Sequence, residues 1–446
     1  MKSGFNIQFA SSFGVLMGIF ILAMDSANAQ PVVNSGEYNT QILTSWNQKL
    51  LEAAKAEDGF LTLKGVRAAA MMHIAIHDAL NAIDPKYSQY ANKVHHPGAD
   101  PVASIARAAY DVAVSQYPAK RNEWEKELQR WINGLKDDGS KQAGLALGKA
   151  SATSILQKRL HDRWNGEVSY KWLPTAPGVY AEFNEHSKTP EGFVFGAGWA
   201  LAEPFMLKGP SQFRSPPPPD INSGKYTTAF NEVKEVGRLR SGLRTQDQAH
   251  LAMWWKDFCE NSHNRLARDL VDDVNLDLWE GARVFALLNM AIFDAYVNVF
   301  DNKFFYNHWR PYTAILRAAD DGNPDTEPEM DWNNLHKHTY AFPSYPSAHG
   351  CASAAAMTTL AQTLGVGDEY SFTMTTEFVD QSGPMSEKVR MVPATRSFGS
   401  FSEAALEAAL SRVYLGIHFR YDSEEGYKLG TQVGEYAVRN FLKPLN

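Results

Sequence analysis

Two cations occur in one strongly apolar segment, NKFFYNHWRP, which runs from Asn302 to Pro311. Lys303 and Arg310 stand seven residues apart there, among four aromatic rings and a histidine. Burying an unpaired charge is costly, so cations in such a setting need an anionic partner. Considered alone, the two residues could also be surface cations that bury only their apolar stems. The segment raises the hypothesis of a local anion site.

A second block, PSYPSAHG, holds Ser347, Ala348 and His349 directly before an alanine-rich segment that predicts a helix. A helix N-terminus directs free N–H groups and a positive dipole end outwards, which suits an anion. The hydroxyl of Ser347 and the N–H of Ala348 would add donors. In isolation, Ser347 would be explained as an N-cap residue.

A third block, SRVYLGIHFRYD, adds Arg412, His418 and Asp422. Each has an ordinary explanation: a helix salt bridge, a hydrogen-bonded core histidine and a helix start. Taken with the other two blocks, the three cations supply enough charge for a tetrahedral oxyanion, and the planar fork of arginine suits paired oxygens. The two histidines turn an anion site into a reaction centre, because one can bond to the central atom while the other moves protons.

The three blocks resemble the signature of the vanadium haloperoxidase and type 2 phosphatidic-acid-phosphatase superfamily. That signature reads Lys-x6-Arg-Pro, Pro-Ser-Gly-His and Ser-Arg-x5-His-x3-Asp, and this chain departs from it only where Ala348 replaces the glycine. The resemblance is strong from about Gly281 to Leu442, whereas the first half resembles the family only in helix content and an internal repeat. It implies an all-α fold of two helical bundles, of the vanadium haloperoxidase and acid phosphatase type.

The resemblance implies a cradle for vanadate or phosphate. Lys303, Arg310 and Arg412 would neutralise its oxygens. The hydroxyl of Ser347 and the backbone N–H of Ala348 would hydrogen-bond to the same oxygens. Alanine keeps that N–H, but it resists positive φ and adds a methyl group beside the anion, so a left-handed backbone at this position would distort the site.

The resemblance also implies roles for the remaining residues. His349 would be the acid/base histidine. His418 would be the vanadium ligand of a haloperoxidase or the phosphorylated nucleophile of a phosphatase. Asp422 would orient His418 through its other ring nitrogen, a role that competes with helix capping.

Three features favour a haloperoxidase over a phosphatase. The chain is longer than the soluble acid phosphatases of the family, and the segment between His349 and Ser411 is longer than is usual in the phosphatases. Phe342 stands five residues before Ser347, where haloperoxidases that act on chloride carry a phenylalanine. The chain departs from the chloroperoxidases at Phe300, where they carry a tryptophan.

The function predicted is therefore a vanadium-dependent haloperoxidase whose partners are hydrogen peroxide, a halide and an organic acceptor. Vanadium would remain at +5 as a Lewis acid, while His349 assists deprotonation of the peroxide and Lys303 polarises it. The alternative is a periplasmic acid phosphatase that acts on a phosphate ester through a phosphohistidine and needs no cofactor. A protein that only binds oxyanions is a third hypothesis. The sequence leaves homo-oligomerisation open, although family members are often oligomers.

A shell of aromatic residues would exclude water and favour a soft anion such as bromide or iodide. Its predicted members are Phe300, Phe304, Phe305, Tyr306, Trp309, Phe342 and Tyr345. These rings could equally be ordinary core residues.

Composition describes an ordinary globular chain. It has 446 residues, of which 44% are apolar and 21% charged, enough for one large core or two smaller ones. The net charge of -7 argues against general nucleic-acid binding, which needs a basic field. Any anion site must therefore be built locally.

The N-terminal segment from Met1 to Ala29 has the pattern of a secretory signal peptide. An apolar run from Phe13 to Met24 precedes Ala27-Asn28-Ala29, a typical cleavage site, and is short of the ~20 residues of a spanning helix. We expect a bacterial protein that is periplasmic or secreted after cleavage near Ala29. No later segment is predicted to span a membrane. Cys259 and Cys351 could pair in such a compartment or remain buried thiols.

Helical periodicity runs through almost the whole chain. A proline-rich segment from Gly209 to Tyr226 predicts a stiff connection between two bundles, although its four consecutive prolines could also be a polyproline ligand. The predicted domains are a signal peptide at 1–29, an N-terminal helical bundle at 30–225, and a C-terminal bundle at 226–446 that carries the oxyanion site.

An internal repeat supports two related bundles. GVRAAAMMHIAIHDA, which starts at Gly65, and GARVFALLNMAIFDA, which starts at Gly281, match at a constant offset, which indicates either duplication or a shared helix-packing motif. His73 and His77 of the first copy have metal-ligand spacing, but the second copy lacks both histidines. Both copies have an aspartate at the same position, Asp78 in the first and Asp294 in the second, so we interpret this residue as structural.

Overall fold

The computed structural model describes residues 39–59, 62–383 and 386–445. Within them the chain forms fourteen α-helices and four short strands, which confirms the predicted all-α class. The helices are α1 (Gln41–Asp58), α2 (Leu63–Ile83), α3 (Pro101–Gln116), α4 (Arg121–Ile132), α5 (Gly139–Lys158), α6 (Asn184–Ser187), α7 (Gly224–Val236), α8 (Gln246–Trp254), α9 (Cys259–Asp273), α10 (Leu278–Tyr306), α11 (Pro311–Leu316), α12 (Ala348–Thr363), α13 (Phe401–Tyr414) and α14 (Arg420–Asn440). The strands are β1 (Phe372–Thr375), β2 (Phe378–Asp380), β3 (Lys388–Arg390) and β4 (Thr395–Phe398). They form two antiparallel pairs, β1 with β4 and β2 with β3.

The predicted signal peptide lies outside the described residues, which all fall in one unit spanning residues 34–446. A domain boundary after residue 225 stays a prediction. The proline-rich loop before it is anchored to the end of α10 and to the second sequence block. Ser215 donates its N–H to the side chain of Asn302 at 3.0 Å, and the Tyr345 hydroxyl donates to the carbonyl of Pro216 at 2.6 Å.

The repeat forms two long helices, α2 and α10, which pack against each other and are almost wholly buried. A capping box of Asp277 and Glu280 starts α10, and Asn307 ends it in the left-handed region at φ 52°. By length and composition, α10 alone among the helices of the described residues is long and apolar enough to cross a membrane, so the absence of a membrane span stays a prediction. Its apolar character also matches its place in the core, since 94% of the apolar window is buried.

The two aspartates of the repeat make equivalent contacts. Asp78 accepts the backbone N–H groups of residues 90–92 at 2.7, 2.6 and 2.8 Å. Asp294 accepts those of residues 205–207 at 2.6, 2.7 and 2.9 Å. Each buried carboxylate therefore holds a loop against its helix and satisfies three donors that would otherwise be buried without partners.

Glycines on α14 set its distance from α12. A Cβ atom on Gly426 would lie 2.4 Å from the carbonyl oxygen of Ser347, and one on Gly430 would lie 2.0 Å from that of Cys351. Only glycine allows the two backbones to approach so closely. This packing brings the start of α14, which contains the end of the third sequence block, beside the N-terminus of α12, which carries the second.

Candidate active site

The three sequence blocks meet around a cavity of ≈ 40 Å³. This exceeds the roughly 10–15 Å³ that a water molecule needs, so a few water-sized groups have room there. Four predicted site residues line the cavity: Ala348, His349, Arg412 and His418. The other four stand behind this wall and are connected to it by hydrogen bonds: Lys303, Arg310, Ser347 and Asp422.

Backbone carbonyls hold the lysine at the end of α10. The ammonium group of Lys303 donates to the carbonyls of Pro343 and Ser344 at 3.0 and 2.7 Å, which leaves one of its three hydrogens for a ligand. Complete burial lowers the pKa of Lys303 well below its usual value. The charge of Arg310 lowers it further, and that of Asp422 opposes the shift. An anion in the cavity would favour the charged form.

The two arginines are fixed in the same way. Arg310 donates through Nε to the carbonyl of Phe342 at 2.8 Å and through Nη1 to that of Ile417 at 2.9 Å. Arg412 donates through Nη2 to the carbonyl of Trp255 at 2.7 Å. Burial lowers the pKa of each guanidinium to about 10, so both remain cations at neutral pH. Within the described part of the chain, Nη2 of Arg310 is buried without a partner.

Asp422 orients His418. Its Oδ2 lies 2.9 Å from Nδ1 of the histidine, 3.2 Å from the N–H of Phe419, and accepts the hydroxyl of Ser344. The same oxygen therefore orients the histidine and caps the start of α14. A proton on Nδ1 leaves a lone pair on Nε2, which lies 3.1 Å from Nη1 of Arg310. Burial raises the pKa of Asp422 to about 7, and burial followed by the nearby cations lowers that of His418 well below its usual value.

His349 also lines the cavity, and one of its ring nitrogens has no partner in the part of the chain that the structure describes. Within the described residues its Nε2 is buried without a partner, while Nδ1 lies 3.7 Å from Sγ of Cys259. Burial, and then the charge of Arg412, lowers the pKa of His349 well below its usual value, so the ring is neutral and able to accept a proton. Cys259 and Cys351 are both free and buried, which resolves the choice between a disulfide and separate thiols.

The N-terminus of α12 keeps ordinary backbone geometry despite the missing glycine. Ser347 is its N-cap residue and accepts the N–H of Gly350 at 3.3 Å, which leaves the hydroxyl hydrogen free to donate elsewhere. Ala348 is the first helical residue and does not have a positive φ. The alanine therefore costs no backbone strain and adds its methyl group to the cavity wall.

Several residues of the site were not found from the sequence. Besides the predicted Phe342, the further lining residues are Lys256, Phe258, Tyr296, Tyr340 and Ile417. Lys256 donates to the carbonyl of Ser382 at 2.8 Å, and burial lowers its pKa to about 7. A lysine within the apolar run WWKDF is the same signal that drew attention to Lys303. Tyr296 precedes Lys303 by two helical turns, which places both on one face of α10.

The aromatic shell is narrower than predicted. Phe342 lines the cavity, and Phe300 packs against it with ring centroids 5.2 Å apart. Phe305 is 66% exposed, because it points away from the core at the end of α10, and it is not part of the shell.

The donors present fit a bound oxyanion such as vanadate. Nη2 of Arg310 is a buried donor that an anion in the cavity would satisfy, and Nε2 of His349 is a buried acceptor that a protonated oxygen of the same group would satisfy. The N-terminus of α12 and the remaining hydrogen of Lys303 add further hydrogen-bond donors that favour an anion.

The chain is similar to known vanadium-dependent enzymes over most of its length. Residues 283–446 match the family model for the VCPO second helical-bundle domain. A vanadium chloroperoxidase from Curvularia inaequalis is 25% identical over 91% of this chain and 83% of its own length. The crystal structure of a bacterial vanadium-dependent iodoperoxidase superposes with a TM-score of 0.72 at 22% identity, over 92% of this chain and 100% of that one.

Two structures of a bacterial vanadium-dependent chloroperoxidase, apo and holo, give TM-scores of 0.62 and 0.63 at 15% identity, each over 85% of this chain and over 94% and 92% of their own. The resemblance drawn from the three sequence blocks is therefore confirmed: the chain has the fold of the vanadium haloperoxidases and carries their VCPO second helical-bundle domain over residues 283–446.

Proposed function

We propose that this protein is a vanadium-dependent haloperoxidase, which uses hydrogen peroxide to oxidise a halide to a hypohalous acid. The observation that carries the proposal is the oriented histidine. Asp422 fixes Nδ1 of His418 at 2.9 Å, so Nε2 is the ring nitrogen left to bind a central atom beside three buried cations. The similarity of nearly the whole chain to a vanadium chloroperoxidase supports it.

Each residue of the candidate site has a role in this proposal. His418 would hold vanadium, while Lys303, Arg310 and Arg412 would balance the charge of its oxygens. When bound, vanadate would supply Lewis acidity at vanadium +5, which activates hydrogen peroxide without a change in the metal's oxidation state.

His349 would move protons at Nε2. The neutral ring can take a proton from hydrogen peroxide there and later return one to a leaving oxygen. The remaining N–H of Lys303 would polarise the peroxide. The halide would then leave as hypohalous acid, which halogenates an organic acceptor.

The cavity lining favours a soft halide. Phe258, Tyr296, Tyr340 and Phe342 present aromatic surface to the cavity, and such a setting suits weakly hydrated anions better than chloride. We therefore propose bromide and iodide as the halides.

The test uses purified protein that has been treated with a chelator and dialysed free of phosphate. Orthovanadate is added, and iodide and bromide oxidation with hydrogen peroxide is measured beside hydrolysis of p-nitrophenyl phosphate. We expect halide oxidation that depends on vanadate and is abolished in His418→Gln. His73→Gln is the matched control, because His73 is also buried but contacts Asn47 rather than the cavity.

A second candidate is an acid phosphatase, because an aspartate on Nδ1 of His418 also suits a nucleophilic histidine. Phosphate ester hydrolysis inhibited by vanadate, without halide oxidation, would establish this candidate and reject the first. A third outcome concerns His349. If the protein binds vanadate without either activity, and His349→Gln binds it equally well, the protein only binds oxyanions, since a binder needs no acid/base residue.

We further propose that the chain is exported to the periplasm or the medium and cleaved near Ala29. The support is the order of charged, apolar and small residues in the leader. N-terminal sequencing of protein from the native host should find Gln30 first, and a retained Met1 would reject the proposal.

A further inference from the structure

A row of buried polar groups leads away from the acid/base histidine. Nδ1 of His349 lies 3.7 Å from Sγ of Cys259. Tyr296 is close enough to Cys259 for each group to shift the pKa of the other, and its hydroxyl donates to Oε2 of Glu260 at 3.2 Å. His349, Cys259 and Tyr296 thus connect the cavity to the carboxyl group of Glu260, which does not line it.

Glu260 can exist in either protonation state inside the fold. It is 3% exposed, and no ion pair involves it within residues 39–59, 62–383 and 386–445. Burial raises its pKa to about 7, backbone N–H groups including that of Thr62 lower it in part, and the charge of Asp257 raises it. The Tyr296 hydroxyl is the polar group that faces it from α10.

The two groups between Glu260 and His349 carry no charge. Burial raises the pKa of the Cys259 thiol to about 12 and that of the Tyr296 phenol well above its usual value. Neither group can therefore hold a charge at neutral pH, but each can accept a proton on one side while it gives one up on the other. The Ser353 hydroxyl, 3.2 Å from the sulfur, holds the thiol in place.

We propose that Cys259, Tyr296 and Glu260 form a proton relay to Nδ1 of His349, in which Glu260 stores a proton while Nε2 acts first as a base and then as an acid. The inference deepens the proposed function, since it rests on the acid/base role of His349. It needs no oxidant or reductant, because only protons move.

The relay balances in both directions. As Nε2 of His349 takes a proton, the proton on Nδ1 passes to Cys259, that of the thiol to Tyr296, and that of the phenol to Glu260. As Nε2 later gives up its proton, each of these transfers reverses. His349 thereby returns to its first tautomer without rotation of the ring, and no charge remains beside Arg412.

Glu260 also lies in the first turn of α9, where a carboxylate stabilises a helix by its position alone. A purely structural role would affect stability but not proton transfer. The distinguishing substitutions are Glu260→Gln, which keeps the shape but cannot store a proton, Tyr296→Phe and Cys259→Ala, which interrupt the row, and Cys259→Ser, which preserves a donor and an acceptor.

The first measurement is turnover against pH for each variant loaded with orthovanadate. We expect kcat to fall about 10-fold or more in the three interrupted variants, with KM within about 2-fold and with Cys259→Ser close to the parent. Glu127→Gln is the matched control, because Glu127 is a buried glutamate that bonds to Ser45 and Trp131 instead. Unchanged kcat in Glu260→Gln and Tyr296→Phe would overturn the relay, as would equal losses in Cys259→Ser and Cys259→Ala.

A second measurement requires no turnover. Calorimetric titration of orthovanadate in buffers of different ionisation enthalpy counts the protons taken up on binding, and Glu260→Gln should change this count near pH 7 while affinity stays within about 2-fold. An unchanged count overturns the relay. If the parent hydrolyses phosphate esters instead of oxidising halide, the proposed haloperoxidase function fails, and the same variants test the relay on that reaction, where His349 is again the acid and base.

Discussion

Helices α2 and α10 begin alike and end differently. At matching positions of the repeat, Asp78 and Asp294 make the same three backbone contacts, and both helices are buried over the matching stretch. Helix α2 then ends at Ile83, while α10 continues to Tyr306 and places Lys303 behind the wall of the cavity. The same packing unit thus occurs twice, and only the longer helix carries a residue of the candidate site.

The sequence explains where each helix stops. Pro85 follows α2, and proline disfavours a helical conformation in the residue before it. The equivalent of Pro85 in the second copy is Asp301, which permits the helix to continue for another turn and a half. The position equivalent to Lys303 in the first copy is Tyr87, in a loop.

The polar residues within the two helices differ in what they face. His73 of α2 contacts Asn47 at 3.0 Å and stacks on Phe285, which makes it a core residue. Tyr296 of α10, which occupies the position of Leu80, lines the cavity and bonds to Glu260. The same helix position is therefore apolar in the scaffold copy and polar in the copy beside the site.

The largest effect is expected for Asp301→Pro, which places a proline in α10 at the position equivalent to Pro85, the residue that follows α2. We expect a loss of about 3 kcal/mol or more in the free energy of unfolding, with no measurable vanadate binding, because the last turn and Lys303 are displaced. Chemical denaturation measures the free energy of unfolding, and titration measures vanadate binding.

The control is Asp301→Ala, which removes only the partly exposed ion pair with Arg214 and should change stability and affinity little. Retained vanadate binding in Asp301→Pro would show that the extension is not what places Lys303.

The second prediction concerns the titration of the group beside Tyr296. The pKa of Glu260 rises from 4.5 to about 7 on folding, so its contribution to stability is complete below pH 4.5 and is lost as pH rises to about 7. Over this window the unfolding free energy of the parent should fall by about 3 kcal/mol more than that of Glu260→Gln. Parallel curves for the two proteins would contradict the raised pKa.

The third prediction tests whether the charge of Lys303, in the extension of α10, contributes to vanadate binding. Lys303→Met should weaken vanadate binding by roughly 10- to 100-fold, the value of a charged hydrogen bond, without loss of stability, since it also removes a buried cation. Calorimetric titration measures the affinity. Tyr87→Phe, at the equivalent position of the other copy, should bind vanadate like the parent.

The smallest expected effect concerns the equivalent aspartates of the two copies and tests whether they contribute equally to stability. Asp78→Asn and Asp294→Asn should each lower the unfolding free energy by about 1 kcal/mol, because an amide cannot accept all three N–H groups. Vanadate affinity should not change in either. Unequal losses, or weaker binding in Asp294→Asn alone, would mean that the second aspartate supports the site as well as the fold.

Local patterns predicted much of the fold and most of the candidate site. Helical periodicity gave the all-α class, and the three blocks supplied eight residues that the structure gathers around one cavity or directly behind it. Their grouping was predictable because spacing along a short segment fixes which side chains share a helix end or face, while their roles stay predictions. The prediction that Phe305 belongs to the aromatic shell was wrong, because hydrophobicity alone does not say which side of a helix faces the core.

The sequence by itself determined the helices, their ends and the types of residue at the anion site, because these depend on neighbours within a few positions. Only the tertiary structure decided that Ser344 would bond to Asp422, that Lys256 would line the cavity, and that Cys259, Tyr296 and Glu260 would stand in a row behind His349. Such contacts join residues far apart in the chain. Their geometry follows from the packing of buried helices, which no local pattern encodes.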